Sequence, residues 1–304
     1  MTLRTLPDTA ELVTILDFIR YGVSQANAHE LHYGHGTDNA WDEMVALVLG
    51  HLKLPSDYET SFWQARLTQT EKEALTAQLT RRIVNRIPVP YLIQHTTFCD
   101  LPFYVDERVL IPRSPIAELI NQQFSPWIDS SRVRRILDLC TGSGCIAIAC
   151  CYAFPEAEVD AVDLSEEALA VAAINQEHHG LDESLNLIQS DCWENVPAVR
   201  YDIIVSNPPY VGEEEMRTLP PEYRHEPAMA LEADNNGLAL VEKILANAHH
   251  YLTDHGILVV EVGNSEEALC EVFPDLDFTW LEFENGGQGV FLLTQDQLKR
   301  YFGK

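Results

Sequence analysis

The residues Asn207-Pro208-Pro209-Tyr210 close an apolar run, Ile203-Ile204-Val205-Ser206, and bring together the groups needed to hold a planar nitrogen. Two consecutive prolines fix φ and remove two backbone donors, so a strand cannot continue through them and the carbonyl beside them can point into a pocket as an acceptor. The Asn207 side chain adds a second acceptor, and Tyr210 offers a flat ring. An NH2 group held by both acceptors would present its nitrogen to an electrophile. Asn207, Pro208 and Tyr210 are therefore the candidate catalytic residues, and Asn207, Pro208, Pro209 and Tyr210 the candidate substrate-binding set.

Upstream, Arg135-Ile136-Leu137-Asp138-Leu139 followed by Cys140-Thr141-Gly142-Ser143-Gly144 and an apolar stretch from Cys145 reads as strand, glycine-rich turn and helix start. Such a turn lets a ligand lie against bare backbone at a helix N-terminus. The strand Glu158-Val159-Asp160-Ala161-Val162 then ends in Asp163, about twenty residues on, where an acid takes the hydroxyls of a ribose. Gly142-Ser143-Gly144-Cys145-Ile146-Ala147 also satisfies the pattern of dinucleotide-binding domains, so these two features leave the cofactor open. The amide-holding loop narrows it, because hydride transfer has no use for two such acceptors and methylation of a nitrogen does.

Asp138 to Gly144, Asp163, Asp191-Cys192-Trp193 and Asn207 to Tyr210 resemble the successive motifs of the S-adenosylmethionine-dependent glutamine methyltransferases that modify translation proteins. The likeness covers nearly the whole chain, including Leu110-Ile111-Pro112-Arg113 and Glu226-Pro227-Ala228-Met229-Ala230-Leu231. The resemblance implies S-adenosylmethionine as cofactor, S-adenosylhomocysteine as product, and a cofactor site at Arg113, Asp138, Cys140, Thr141, Gly142, Gly144, Asp163, Asp191, Trp193 and Asn207. Within the family, release-factor enzymes usually follow Pro-Arg with Pro-Asp-Thr-Glu. This chain has Arg113-Ser114-Pro115-Ile116-Ala117-Glu118 and Arg224-His225-Glu226-Pro227, which resemble the branch acting on the large-subunit ribosomal protein uL3. Three alternatives stay open: the same reaction on the Gly-Gly-Gln glutamine of release factors, an adenine-N6 nucleic-acid methyltransferase, and a non-catalytic ribosome assembly factor. His225 and Glu226 are candidate proton acceptors, and Arg113 either closes over a cofactor carboxylate or forms an ion pair.

Charge points the same way as the resemblance. The chain has 304 residues, with 47 acidic against 20 basic and a net charge of −27. Such a surface repels phosphate backbones and attracts basic proteins, so the expected partner is a basic ribosomal protein met free, before assembly, and not nucleic acid or membrane. Seven cysteines without regular spacing read as small core residues in a reducing compartment. There is no long apolar N-terminal run, and the expected location is the cytoplasm.

The elements that must position these residues follow from periodicity. Asp8 is expected to cap a helix carrying Leu12, Ile15, Leu16 and Ile19, and Thr37 or Asp38 a second carrying Trp41, Met44, Val45, Val48 and Leu49. A third is expected from about Thr70 to Asn85, with Leu75, Leu79 and Ile83 on one face, ended by Pro88 and Pro90. Alternation from Thr97 to Asp106 suggests a hairpin. These divide the chain into a helical, substrate-engaging region (1–90), a β-hairpin linker (91–112) and an α/β catalytic region (113–304). Strands are expected near 135–140, 157–162, 185–190, 201–206, 256–262, 278–283 and 289–294. The first five should be parallel, while the tight loop Asn285-Gly286-Gly287-Gln288 requires the last two to be antiparallel. That seven-stranded pattern suits the class I methyltransferase fold that the resemblance implies. His29, His32, His35 and His51 read as a surface loop and not as a metal set, because Gly34 and Gly36 interrupt any helix that would align them.

Overall fold

The computed structural model describes residue 6, residues 9–55 and residues 59–303, in two compact units. The first comprises residues up to 96 together with 105–107 and 220–225, and the second the remainder.

The first unit is helical: α1 (Ile15–Ala28), α2 (Ala40–His51), α3 (Gln69–Ile83) and a short α4 (Val89–Ile93). Helix α1 opens with a capping box in which the Thr14 hydroxyl accepts the Asp17 N–H and the Asp17 carboxylate accepts the Thr14 N–H. The cap expected at Asp8 lies outside the described residues, and Leu12 precedes the helix. Asn39, not Thr37 or Asp38, caps α2 by accepting the Asp42 N–H at 2.9 Å, while the Thr37 hydroxyl is diverted to Glu43. Leu75, Leu79 and Ile83 are fully buried with Phe18, Ile19, Met44 and Val48. Trp41 instead remains partly exposed, at 43%. Pro88 and Pro90 start α4 where they were expected only to end a helix, since the N-cap and the first helical turn need no proline N–H.

A charged cluster lies inside this unit. Arg82, on α3, pairs with Glu43 of α2 and lies 3.4 Å from Glu222, while its Nη2 donates to the His32 carbonyl at 2.9 Å. Arg86 reaches the same Glu222 oxygen at 3.1 Å. Arg82, Glu43 and Glu222 are all buried. The segment 220–225 is held further by Tyr223, whose ring centroid lies 4.7 Å from that of His35, and by His225, whose Nε2 lies 2.8 Å from the Asn85 carbonyl. His35 is thus buried against an aromatic ring, unlike the solvated loop histidine expected there. Among the described residues no group of three or more His, Cys, Asp or Glu could hold a metal ion.

A two-stranded hairpin, β1 (Thr96–Phe98) and β2 (Leu101–Phe103), turns at Cys99 and Asp100 with φ of 49° and 60°. It is shorter than the alternation suggests, because the N–H and carbonyl of Tyr104 are both taken by the Asn175 side chain, at 2.8 and 3.0 Å.

The second unit is built on a seven-stranded sheet: β3 (Arg135–Leu139), β4 (Glu158–Asp163), β5 (Leu185–Gln189), β6 (Tyr201–Ser206), β7 (Leu252–Glu261), β8 (Thr279–Trp280) and β9 (Val290–Thr294), in the order β5-β4-β3-β6-β7-β9-β8. The strands β3 to β7 are mutually parallel, and β9 runs antiparallel between β7 and β8. Strand β7 begins four residues earlier than expected, at Leu252, and β8 keeps only two residues. Both faces are covered, which is why the central strand β6 and the second half of β7 read as nearly continuous apolar runs. Ile136, Ile203 and Val205 join one core with α5 (Ile116–Asn121) and α6 (Cys145–Ala153), while Leu137, Leu139 and Ile204 join another with the helix Ala239–Tyr251. Helix α7 (Glu166–His179) follows β4. The order reverses between β3 and β6, so their carboxyl ends frame the crevice where such sheets place ligands. No helix among the described residues is long and apolar enough to cross a membrane.

Candidate active site

The glycine turn leaves β3 through Cys140, held in the left-handed region at φ 64°, then Gly142 at 56° and Gly144 at 80°, the last acting as N-cap of α6. A Cβ on Gly144 would lie 3.3 Å from the Ala172 methyl of α7, whereas one on Gly142 would meet open space. Gly144 therefore serves helix packing, and Gly142 keeps bare backbone facing a cavity. The turn is tied down from below. Asp138 Oδ2 accepts from the Thr141 hydroxyl at 2.6 Å and from the Ala147 N–H at 3.2 Å, and the Asn175 amide donates to the Ser143 carbonyl at 2.9 Å.

Asp163, at the end of β4, accepts the Gly142 N–H at 2.8 Å and the Ser165 N–H at 2.9 Å. Burial raises its carboxyl above the usual range, against the hydrogen bonds that lower it. Ser165, not Asp163, caps α7, so Asp163 keeps lone pairs for a ligand in the cavity it lines. Past β5, Asp191 pairs with Lys243 at 2.7 Å and lines the same cavity, as does Cys192 in the left-handed region. At the end of β6 the Ser206 hydroxyl donates to the Leu139 carbonyl at 2.7 Å, locking β6 to β3 just before Asn207.

One cavity in the second unit thus brings together Arg113, Cys140, Thr141, Gly142, Asp163, Asp191, Asn207 and Pro209. Other expected site residues lie outside its wall. Asp138 and Gly144 support the turn from behind. Pro208 is buried next to Asn207. Trp193 does not border the cavity: its indole stacks on Tyr251 at 4.6 Å and donates to the Lys243 carbonyl at 3.0 Å, which fixes it in the core against the helix Ala239–Tyr251. Tyr210 does not reach the cavity either, because its hydroxyl donates to Glu261 at 2.8 Å.

The two candidate proton acceptors are otherwise engaged. Glu226 is buried and takes the Arg113 guanidinium on both oxygens, at 2.7 and 2.9 Å, plus the Ile111 N–H at 3.0 Å. His225 is bound to the Asn85 carbonyl in the first unit. Arg113 therefore forms the ion pair, and it also lines the cavity. Asn175, Ser114, Glu261 and Lys243 were not expected; the signal for Asn175 was a polar residue on the buried stripe of α7, with Val171 and Ala172.

The residues present fit a nucleoside-bearing cofactor: bare backbone at a helix N-terminus, a carboxylate with spare lone pairs, and the Ser143 residue lining the same cavity. Asp138 adds a pH dependence. Complete burial pushes its carboxyl up to about 7, and its Oδ1 has no partner among the described residues. Because the folded value lies above the unfolded one, its stabilising contribution is fully present below about pH 4, is lost as pH rises and is gone above about pH 7. Asp138→Asn keeps an acceptor for Thr141 and Ala147 and removes that slope. Thermal denaturation between pH 5 and 8 will show a smaller fall in Tm for the variant than for the parent; parallel curves would refute the assignment.

A family model for the methyltransferase small domain matches residues 121–220. Over 95% of its length the chain is 46% identical to a ribosomal protein uL3 glutamine methyltransferase of Francisella tularensis, covering 93% of that protein. It is 47% identical, also over 95% of its length, to one of Bordetella pertussis, covering 97% of it. Among solved structures, the hMettl16 catalytic domain in complex with MAT2A 3′UTR hairpin 6 superposes with a TM-score of 0.51 at 14% identity, covering 75% of this chain and 82% of that one, a likeness of fold.

Proposed function

The chain belongs to the ribosomal protein uL3 glutamine methyltransferase family, and on that premise we propose that it methylates the side-chain amide nitrogen of a glutamine in uL3, using S-adenosylmethionine. The observation that carries this reading is the placement of Asn207, at the carboxyl end of β6, in the wall of the same cavity as the glycine turn and Asp163. When bound, S-adenosylmethionine supplies a methyl carbon made electrophilic by its sulfonium. Gly142 and Thr141 would lie against its methionine part, Asp163 would take the ribose hydroxyls and Asp191 would border the adenine.

The chain's own work is to make a poor nucleophile competent. An amide nitrogen delocalises its lone pair into the carbonyl. In this reading its two hydrogens would be accepted by the Asn207 Oδ1 in the cavity wall and, when substrate is seated, by the backbone carbonyl of Pro208 beside it, which would align the nitrogen and stabilise its developing positive charge. Positioning accounts for most of the effect. Once the nitrogen carries a fourth substituent its proton is acidic and leaves without a strong base, consistent with Glu226 being consumed by Arg113. The excess of 27 negative charges favours encounter with a basic protein not yet covered by RNA, in the cytoplasm.

Incubation with labelled cofactor and purified uL3, followed by peptide mass spectrometry, will place one methyl on a glutamine of uL3. Release factor and nucleic acid serve as parallel substrates, and label in either of these but not in uL3 would overturn the reading. Asp163→Ala will weaken cofactor binding by roughly 1–3 kcal/mol through loss of a buried hydrogen bond, measured by calorimetry; unchanged affinity would remove Asp163 from the site.

A further inference from the structure

Tyr210 is held on several sides. Its hydroxyl donates to Glu261 Oε1 at 2.8 Å, and the other oxygen of that carboxylate accepts from the Ser114 hydroxyl at 2.5 Å. The Tyr210 carbonyl accepts from Ser265 at 3.2 Å. A Cβ on Gly263 would lie 2.5 Å from the tyrosine ring, and one on Gly237 only 1.9 Å from the Tyr210 carbonyl oxygen. Both glycines have positive φ, so the chain gives up side chains at two strained positions to seat this one residue. Glu261 itself is the last residue of β7, one past Val260, which pairs with Ser206. A carboxylate buried at a strand end is costly unless donors satisfy it, and Ser114 and Tyr210 are such donors.

We propose that Glu261, fixed by Ser114, is a positioning residue for the methyl transfer: it anchors Tyr210, and through the stiff Pro208-Pro209 link it sets where the acceptors of Asn207 and Pro208 stand. Only two residues, both with fixed φ, separate Tyr210 from Asn207, so displacement of the tyrosine is passed to the clamp instead of being absorbed. Ser114 stands where release-factor sequences usually have proline, which carries no hydroxyl. The inference rests on the amide-methylation reading for its kinetics, but its geometry does not.

Steady-state kinetics on uL3, calorimetry with S-adenosylmethionine and hydrogen exchange of the peptide spanning Ser206 to Gly212 test this in E261A, E261Q, S114A and Y210F. E261A is expected to lose roughly 100-fold in kcat, as for a displacement of about 1 Å, with cofactor affinity nearly unchanged and faster exchange in that peptide. E261Q still accepts from Tyr210 and will recover most of the loss. The E261A/Y210F double variant will be no worse than E261A alone, since the Tyr210–Glu261 bond is already absent in E261A. Should E261A fail to fold, S114A and E261Q carry the test through a smaller kcat loss with the same exchange signature. Parental kcat and exchange in E261A, additive effects in the double variant, or equal losses of kcat and cofactor affinity would each overturn the proposal. If the parent protein leaves uL3 unmethylated, the functional reading fails, and the exchange measurement alone decides whether Glu261 holds the loop.

Discussion

Asn207→Ala will bind cofactor like the parent protein and lose roughly 100- to 1,000-fold in kcat, the range seen when one preorganised polar contact to a developing charge is removed. The reason is geometric. Asn207 follows Ser206, whose hydroxyl bond to Leu139 holds the end of β6 independently of the amide, and it precedes two prolines that fix the backbone, so the alanine variant keeps the cavity and lacks only one acceptor. Calorimetry and single-turnover methylation measured together separate the two effects. A variant that loses cofactor affinity in step with activity would place Asn207 in the cofactor site alone, and one that retains activity would end the amide-clamp mechanism.

Arg82→Ala will destabilise the protein by about 3–5 kcal/mol, because it leaves the buried carboxylate of Glu43 without its cation and takes from buried Glu222 one of its two. Arg86 cannot compensate fully, since it reaches only the Oε1 atom of Glu222, and Oε2 has no partner among the described residues. Urea denaturation followed by helical signal measures the loss. An effect below about 1 kcal/mol, typical of exposed pairs, would show that the cluster is solvated in solution.

Much of this was legible because the sheet is covered on both faces. The runs Ile136-Leu137 and Ile203-Ile204-Val205 are buried and apolar, and the cavity-lining residues Cys140 to Gly142 and Asn207 follow within a few positions of them, so strand ends and site residues were read together. The short connection at Asn285 to Gln288 likewise required the antiparallel pairing that β9 makes with β8. What escaped the sequence depends on partners distant in the chain. Trp193 follows Asp191 by two residues, yet Tyr251 and the Lys243 carbonyl decide where its ring goes. Tyr210 sits in the Asn207-Pro208-Pro209-Tyr210 motif, yet Glu261, fifty-one positions later, captures its hydroxyl. Arg82 was readable in principle, since it falls on the buried stripe with Leu75 and Leu79, but nothing local names Glu222 as its counter-ion. Local rules also competed at Thr37, Asp38 and Asn39, three adjacent capping types, of which the last was selected once Thr37 turned to Glu43.

The membership of residues 220–225 in the helical unit bears on how this enzyme can be cut or recombined. A shortened version starting after residue 96 would retain Glu222 but discard Arg82 and Arg86, stranding an acidic group evolved for a dry, cationic niche. Grafting the N-terminal helices onto another methyltransferase would likewise fail to carry Tyr223 and His225, which the recipient's own loop would have to supply. Modularity here stops short of the linear sequence: moving the helical unit intact means moving three discontinuous stretches at once.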